Sequence, residues 1–208
     1  MLAVSTMPFD VDQLIRTLAN AGRSALGMPA RISTQDRRIL EQTILPAYAA
    51  RADIRRVLFV GCADYTQHYS RIFAKTDYWT IDPLRSRARY GSERHLVAPL
   101  QELDGYVPAG SFDLIVCNGV LGWGLNRLED AEQAFACCLR TLCEGGELLV
   151  GWNDVGGRNR VRPENIAALR RFELYPCPAL GAVRMIVAGA NRHAYDFYRK
   201  PLRHAPRN

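Results

Sequence analysis

The chain has 208 residues, 48% of them hydrophobic, and a formal net charge of +6. That length suggests one domain with at most a small extension, and the apolar content suffices for a core of ordinary size. No apolar run approaches the ~20 residues that span a bilayer, and the mild basic excess permits an anionic partner without requiring one.

The N-terminus, MLAVSTMPFDVDQ, lacks a basic start followed by an apolar block, so a signal peptide is not expected and a cytoplasmic location is. The first fifty residues read as two helices. Asp10 and Gln13 resemble a capping pair, with Leu14, Ile15 and Leu18 on one apolar face. Ser33 and Asp36 open the second helix, Ile39, Leu40 and Ile44 face inward, and Pro46 kinks or ends it. Residues 1–52 are therefore read as a helical extension or cap, and 53–208 as the main domain.

From Arg56 onward strands alternate with helices. RVLFV (Arg56 to Val60) is a continuous apolar run, as in a parallel strand buried on both faces. A helix is predicted from about Thr66 to Lys75, then strands DYWTID (Asp77 to Asp82), RHLVA (Arg94 to Ala98) and SFDLIVCNG (Ser111 to Gly119). The clearest helix is Leu128 to Cys143, with Asn126 and Glu129 as a capping pair and Gly145 placed to end it. GELLVGWN (Gly146 to Asn153) is the next strand. Gly181 to Lys200 reads as two strands joined by a turn near Gly189 to Asn191. This order implies a doubly wound α/β fold: a mostly parallel, seven-stranded sheet closed by a C-terminal antiparallel hairpin. The basic run Arg192 to Arg207 reads as a solvated tail. The six cysteines form no C-x-x-C pair and none sits beside a His at zinc spacing, so neither a metal site nor a disulfide scaffold is expected.

In doubly wound sheets, ligands bind at the carboxyl ends of the strands where strand order reverses. The stretch VLFVGCADYT places Gly61 in the turn after the first strand, where a glycine allows close approach of the backbone, and the next helix start adds free N–H groups. Asp82 ends the second strand at a spacing suited to accepting hydrogen bonds from two ribose hydroxyls; the other reading is a surface carboxylate that caps the turn before Pro83.

VLFVGCADYT, YWTIDP, SFDLIVCNGVLGWGL and LRTLCEGGELLVGWN resemble, in order and spacing, successive motifs of class I S-adenosylmethionine-dependent methyltransferases. The resemblance covers about Arg56 to Lys200. It implies a Rossmann-like methyltransferase fold and S-adenosylmethionine as cofactor, leaving as S-adenosylhomocysteine. It also implies in-line methyl transfer, catalysed mainly by proximity and orientation, with a small molecule as acceptor and no catalytic base assigned. Cofactor contacts are expected from Gly61, Cys62, Ala63, Asp64, Tyr65, Asp82, Pro83, Leu100, Asn118, Gly119 and Trp123. Phe59 stands at the family's usual acidic position, and Ala63 and Tyr65 at its second and third glycines. Asp64 is the carboxylate proposed to compensate, with Tyr65 covering the same end of the cofactor and avoiding positive φ; Asp64 as a plain helix cap is the alternative.

Other readings carry weaker signals. Trp123 is either a stacking aromatic or a core one. Trp152 and Asn153 end the fifth strand and could face the acceptor. His68 and His95 are the histidines placed near strand ends. Arg158, Arg160 and Arg162 either meet an anionic acceptor or are solvated. A nucleic-acid methyltransferase is disfavoured, because NGVL follows the fourth strand in place of a [DN]-P-P-[YF] signature. A degenerate, non-enzymatic binding protein stays open. A nicotinamide-dependent oxidoreductase would prefer G-x-G-x-x-G where this chain has Gly61, Ala63 and Thr66.

Overall fold

The structure is a computed structural model, described for residues 34–157 and 159–202. The first expected helix (Asp10 to Leu18), Ser33, Arg158 and the last residues of the basic tail lie outside the described residues. Three consecutive segments, Gln35–Ile39, the π-wound Leu40–Ile44 and Leu45–Ala49, make one helix, α1 (35–49). Pro46 does not end it. Its ring would clash with the carbonyl of residue 42 in a regular helix, and the wider π turn lies immediately before it. The remaining elements are β1 (Arg56–Val60), α2 (Tyr69–Ile72), β2 (Asp77–Ile81), β3 (Arg94–Leu96), β4 (Phe112–Asn118), α3 (Leu128–Thr141), β5 (Leu142–Asn153), β6 (Glu173–Leu174), β7 (Arg184–Ile186) and β8 (His193–Arg199).

These strands form one sheet in the order β3-β2-β1-β4-β5-β8-β6, with β7 also paired to β8. Strands β1 to β5 run parallel, and β8 runs antiparallel to β5. Among the described residues the sheet has eight strands rather than seven, because the outer arm of the terminal hairpin is split. β6 pairs with Arg199 and Tyr198, and β7 with Asp196 to Ala194. Between them Tyr175 N–H donates to Phe197 O (3.1 Å) and Phe197 N–H to Val183 O (3.0 Å), so the intervening loop stays stitched to β8.

Side chains alternate between two cores, as the period of a strand requires. Leu58, Val60, Ile115, Cys117, Leu148 and Val150 pack with α3 residues such as Ala131, Phe135 and Cys138. Val57, Phe59, Leu114, Val116 and Leu149 pack on the other face with Leu40, Ile44, Leu45 and Tyr48 of α1 and Tyr69 of α2. α1 is thus a covering layer of the sheet.

Three local expectations are corrected. The Thr66 to Lys75 helix is short. Thr66 Oγ1 bonds both the N–H (3.0 Å) and the carbonyl (2.9 Å) of Ala63, closing a tight 3₁₀ turn at Asp64–Thr66. Phe73 then leaves helical geometry and stacks on Tyr78 at 5.3 Å. The Asn126–Glu129 capping pair does not form; the N-cap is Arg127, without a side-chain cap bond. Gly145 does not end α3, which runs directly into β5. It turns a bulge at φ +75°, where the register passes from Phe112↔Leu142 to Leu114↔Glu147.

Candidate functional site

β1 sits where the strand order reverses, with β2 on one side and β4 on the other. The crevice beyond their carboxyl ends is the expected ligand site. A cavity of about 430 Å³ opens there. Its floor is the turn Gly61, Cys62 and Ala63; one wall is Asn118, Gly119, Val120 and Trp123; Thr34, Asp36 and Arg37 at the start of α1 form another. Gly61 has φ +86°, and its N–H donates to Ile81 O at 2.8 Å. A Cβ there would meet only Val120 Cγ2, at 3.9 Å, so the glycine is needed for backbone conformation rather than for space.

Asp82 lies behind this floor. It is 3% exposed, a correction to its reading as a solvent-facing carboxylate. One oxygen accepts from Cys62 N–H (2.8 Å) and the other from Leu84 N–H (2.9 Å). Each oxygen keeps a lone pair for a further donor. Arg87 reaches over from the segment after β2. Its guanidinium donates to Cys62 O (3.2 Å) and lies 3.7 Å from Asp82 Oδ2. Burial pushes the Cys62 thiol up to about 11, so it stays protonated.

Asp64 does not line the cavity; its carboxylate turns back to accept from Tyr65 N–H at 2.8 Å. Nor does it cap through its side chain, since Thr66 performs that task. Tyr65 does line the cavity and sits in the 3₁₀ turn, clear of positive φ. Arg37 stacks over its ring at 4.5 Å and donates to Tyr69 OH, which in turn donates to Glu41 Oε1 (2.9 Å). These contacts tie α1 to the first turn.

On the opposite wall, Asn118 ends β4 and Asn153 ends β5, and His193 begins the antiparallel β8 directly across from Asn153. His193 Nδ1 is 2.7 Å from Asn153 Oδ1, and Nε2 is 3.0 Å from Asn118 Oδ1. The Asn118 side chain reaches His193 by passing over Gly151. A Cβ at Gly151 would fall 1.8 Å from Asn118 Oδ1 and 3.0 Å from His193 Nε2. Burial pushes the His193 ring down to about 4, with Asp36 working against it, so the imidazole is neutral near pH 7.

No curated protein matches the chain in sequence. Residues 58–150 match the family model described as a methyltransferase domain. That segment holds most of β1, all of β2 to β4 and α3, and most of β5, the elements that build the floor and one wall of the cavity. That match, over a little under half of the chain, makes this segment similar to a methyltransferase domain. The solved N-methyltransferase NodS from Bradyrhizobium japonicum WM9, in complex with S-adenosylhomocysteine, is similar in fold: 18% identity, TM-score 0.63, 91% of this chain and 97% of that one. A TehB-like methyltransferase from Corynebacterium glutamicum aligns with 19% identity and TM-score 0.57 over 92% and 96%. The [4+2]-cyclase SpnF aligns with 17% identity and TM-score 0.56 over 97% and 98%. At these identities the structures establish the fold, and a fold hosts more than one chemistry.

Of the residues read from the sequence, the fold brings Gly61, Cys62, Ala63, Tyr65, Asn118, Gly119 and Trp123 onto one cavity. Trp123 is 66% exposed, which excludes a core role. Pro83 is exposed away from the cavity lining, and Leu100, with Ala98, is buried in the core. Trp152 does not face an acceptor: it is 1% exposed and donates to Asp196 at 2.7 Å. Arg162 pairs with Asp154 (2.9 Å) and Glu164 (3.5 Å). His68 and His95 lie outside the lining, and His193 is the cavity's histidine. An antiparallel last strand starts at the edge where parallel strands end, so the hairpin itself was the signal for His193.

The cofactor implied by the motif resemblance is S-adenosylmethionine. The cavity fits it in kind. It offers an open main-chain floor, a carboxylate (Asp36) and a guanidinium (Arg37) adjacent on α1 for a zwitterionic end, and an exposed indole for a flat or apolar part.

Proposed function

We propose that this enzyme methylates a small-molecule acceptor in the cavity between the first turn, the start of α1 and the Asn118–His193–Asn153 wall. The observation that carries this reading is the cavity's shape and lining. It is a polar chamber of about 430 Å³, walled by α1 on one side and the 118–123 segment on the other, rather than an open basic track. Bound S-adenosylmethionine supplies a methyl on a sulfonium, reactive enough that the protein has only to align it. Gly61 to Ala63 take the cofactor's chain along their backbone. Asp36 faces its ammonium and Arg37 its carboxylate, a role that moves from Asp64 to α1. Asp82 receives the ribose hydroxyls from behind the floor, with Arg87 displaced from above it. Residues up to 52 serve as a cap on the main domain, a reading supported by α1 supplying Thr34, Asp36 and Arg37 to the wall.

Nucleic acid is not the proposed acceptor. Much of the basic excess is consumed internally: Arg56 and Arg94 pair with Asp77, Arg51 with Glu147, and Arg184 with Asp196 and Glu164. The test is transfer of a labelled methyl from the cofactor into a cell extract split by size and treated separately with nuclease. Label is expected in the small-molecule fraction. Label confined to nuclease-sensitive material would overturn the reading.

A further inference from the structure

A neutral imidazole has one donor and one acceptor nitrogen. His193 faces an amide on each side, Asn153 at Nδ1 and Asn118 at Nε2. Two amide oxygens would require an imidazolium, and the ring lies in a buried setting that disfavours charge, with Arg37 adding to that effect and Asp36 opposing it. One amide must therefore meet the ring through its NH₂. Both distances, 2.7 Å on the Asn153 side and 3.0 Å on the Asn118 side, lie in hydrogen-bond range, the shorter one suiting an N–H···O bond. Electrostatics points the same way. The other end of the Asn118 amide has no protein partner among the described residues, and Asn118 lines the cavity, where a cofactor sulfonium and Arg37 favour an oxygen over an NH₂. Gly151 is the third part of the device, since any Cβ there would occupy the space of the Asn118 amide.

We propose that Asn153, His193 and Asn118 form a positioning relay that turns the Asn118 carbonyl oxygen into the cavity, where it accepts a hydrogen bond from the N–H of a nitrogen acceptor. The proposal rests on the methyltransferase reading of this cavity. His193 donates through Nδ1 to Asn153 and accepts at Nε2 from the Asn118 NH₂, leaving Asn118 Oδ1 free to hold the substrate. A nitrogen so held directs its lone pair at the methyl. The lone pair forms the N–C bond, sulfur keeps the C–S pair, and the N–H proton then goes to water. His193, engaged at both nitrogens, is no general base, which suits a nucleophile that already carries a lone pair better than a hydroxyl needing deprotonation. Asn118 is the residue that touches substrate; His193 and Asn153 act through it.

Two measurements test this on the full chain. The first is ¹⁵N NMR of histidine-labelled protein saturated with S-adenosylhomocysteine, the His193 signals being assigned by their loss in His193→Gln. The relay predicts protonated Nδ1 and bare Nε2 at pH 7; protonated Nε2, alone or with Nδ1, would overturn it. The second compares binding of S-adenosylhomocysteine with that of sinefungin, which carries an amine where the methyl would sit. Sinefungin should bind roughly tenfold or more tightly, as expected for a hydrogen bond from a charged donor. That preference should vanish in Asn118→Ala and shrink in Asn153→Ala, with thermal melts confirming that both variants are folded. Equal binding of the two ligands by the wild-type protein, or a preference unchanged in both folded variants, would defeat the relay. Absence of binding by either ligand to the wild-type protein would instead remove the methyltransferase reading on which it stands.

Discussion

Removal of the Asp82 carboxylate should cost stability before any ligand is added. In the folded chain the side chain is 3% exposed and accepts two main-chain N–H groups, from Cys62 at 2.8 Å and Leu84 at 2.9 Å. A hydrogen bond to a charged group contributes about 1.5–3 kcal/mol, and a buried donor left unpaired costs a comparable amount. Leu84 is on the surface, so water can replace its partner; Cys62 is 1% exposed, and there the loss is nearly complete. Asp82→Ala should therefore destabilise by about 2–4 kcal/mol, while Asp82→Asn, which keeps one acceptor oxygen, should lose about half as much. For a chain of this size that is a fall in Tm of about 6–12 °C for the alanine variant. Urea unfolding without cofactor gives the energy directly, and calorimetry with S-adenosylhomocysteine then reports affinity separately. If Asp82→Ala unfolds within about 0.5 kcal/mol of wild type, the carboxylate does not hold the first turn, and the argument built on its burial is wrong.

Two further outcomes are expected. His193 is held near 4 by burial, against an ordinary value of 6.5, so between those values the unfolded chain takes up a proton that the folded one does not. Its contribution to stability is full above pH 6.5 and is lost as pH falls toward 4, by about 3 kcal/mol; the difference in urea unfolding between wild type and His193→Gln, followed from pH 7.5 to 4.5, should show this slope, and parallel curves would contradict it. Arg51→Met leaves the carboxylate of Glu147, 4% exposed and 2.7 Å from the Arg51 guanidinium, without its cationic partner in the core, and should cost about 3–5 kcal/mol by denaturant unfolding; a loss below about 1 kcal/mol would show that the pair is not an effective buried one.

Much of the fold is written in local pattern. Arg56 to Val60 could be read as a central strand because both faces are apolar, and both faces are in fact covered, Leu58 by one core and Phe59 by the other. α3 was legible from the apolar face of Leu128, Ala131, Phe135, Cys138, Leu139 and Leu142, not from its expected caps. What local pattern missed depends on tertiary anchoring. The helix after the first turn is cut short by the Thr66 side chain and the Phe73–Tyr78 stack, neither of which alters apolar periodicity. For the site, Gly61, Asn118 and Trp123 could be placed because they end strands or follow them. Asp36 was read only as part of a helix start and Arg37 was not singled out; both reach the cavity because α1 packs across the sheet. His193 is far from Asn118 in sequence, and only the antiparallel pairing of β8 with β5 brings it to the same edge. Asp64 misled because a carboxylate in a turn can point either way, and here it bonds the next backbone N–H.

The most direct test of the account is isothermal calorimetry of the full chain with S-adenosylhomocysteine. A methyltransferase whose floor is the turn from Gly61 to Ala63 should bind it at one site with a Kd in the micromolar range, on the order of −8 kcal/mol, and Gly61→Val, which forces a branched side chain into φ +86°, should weaken that binding at least tenfold. No heat from the wild-type chain, or equal affinity in Gly61→Val, would contradict the claim that this cavity holds the cofactor.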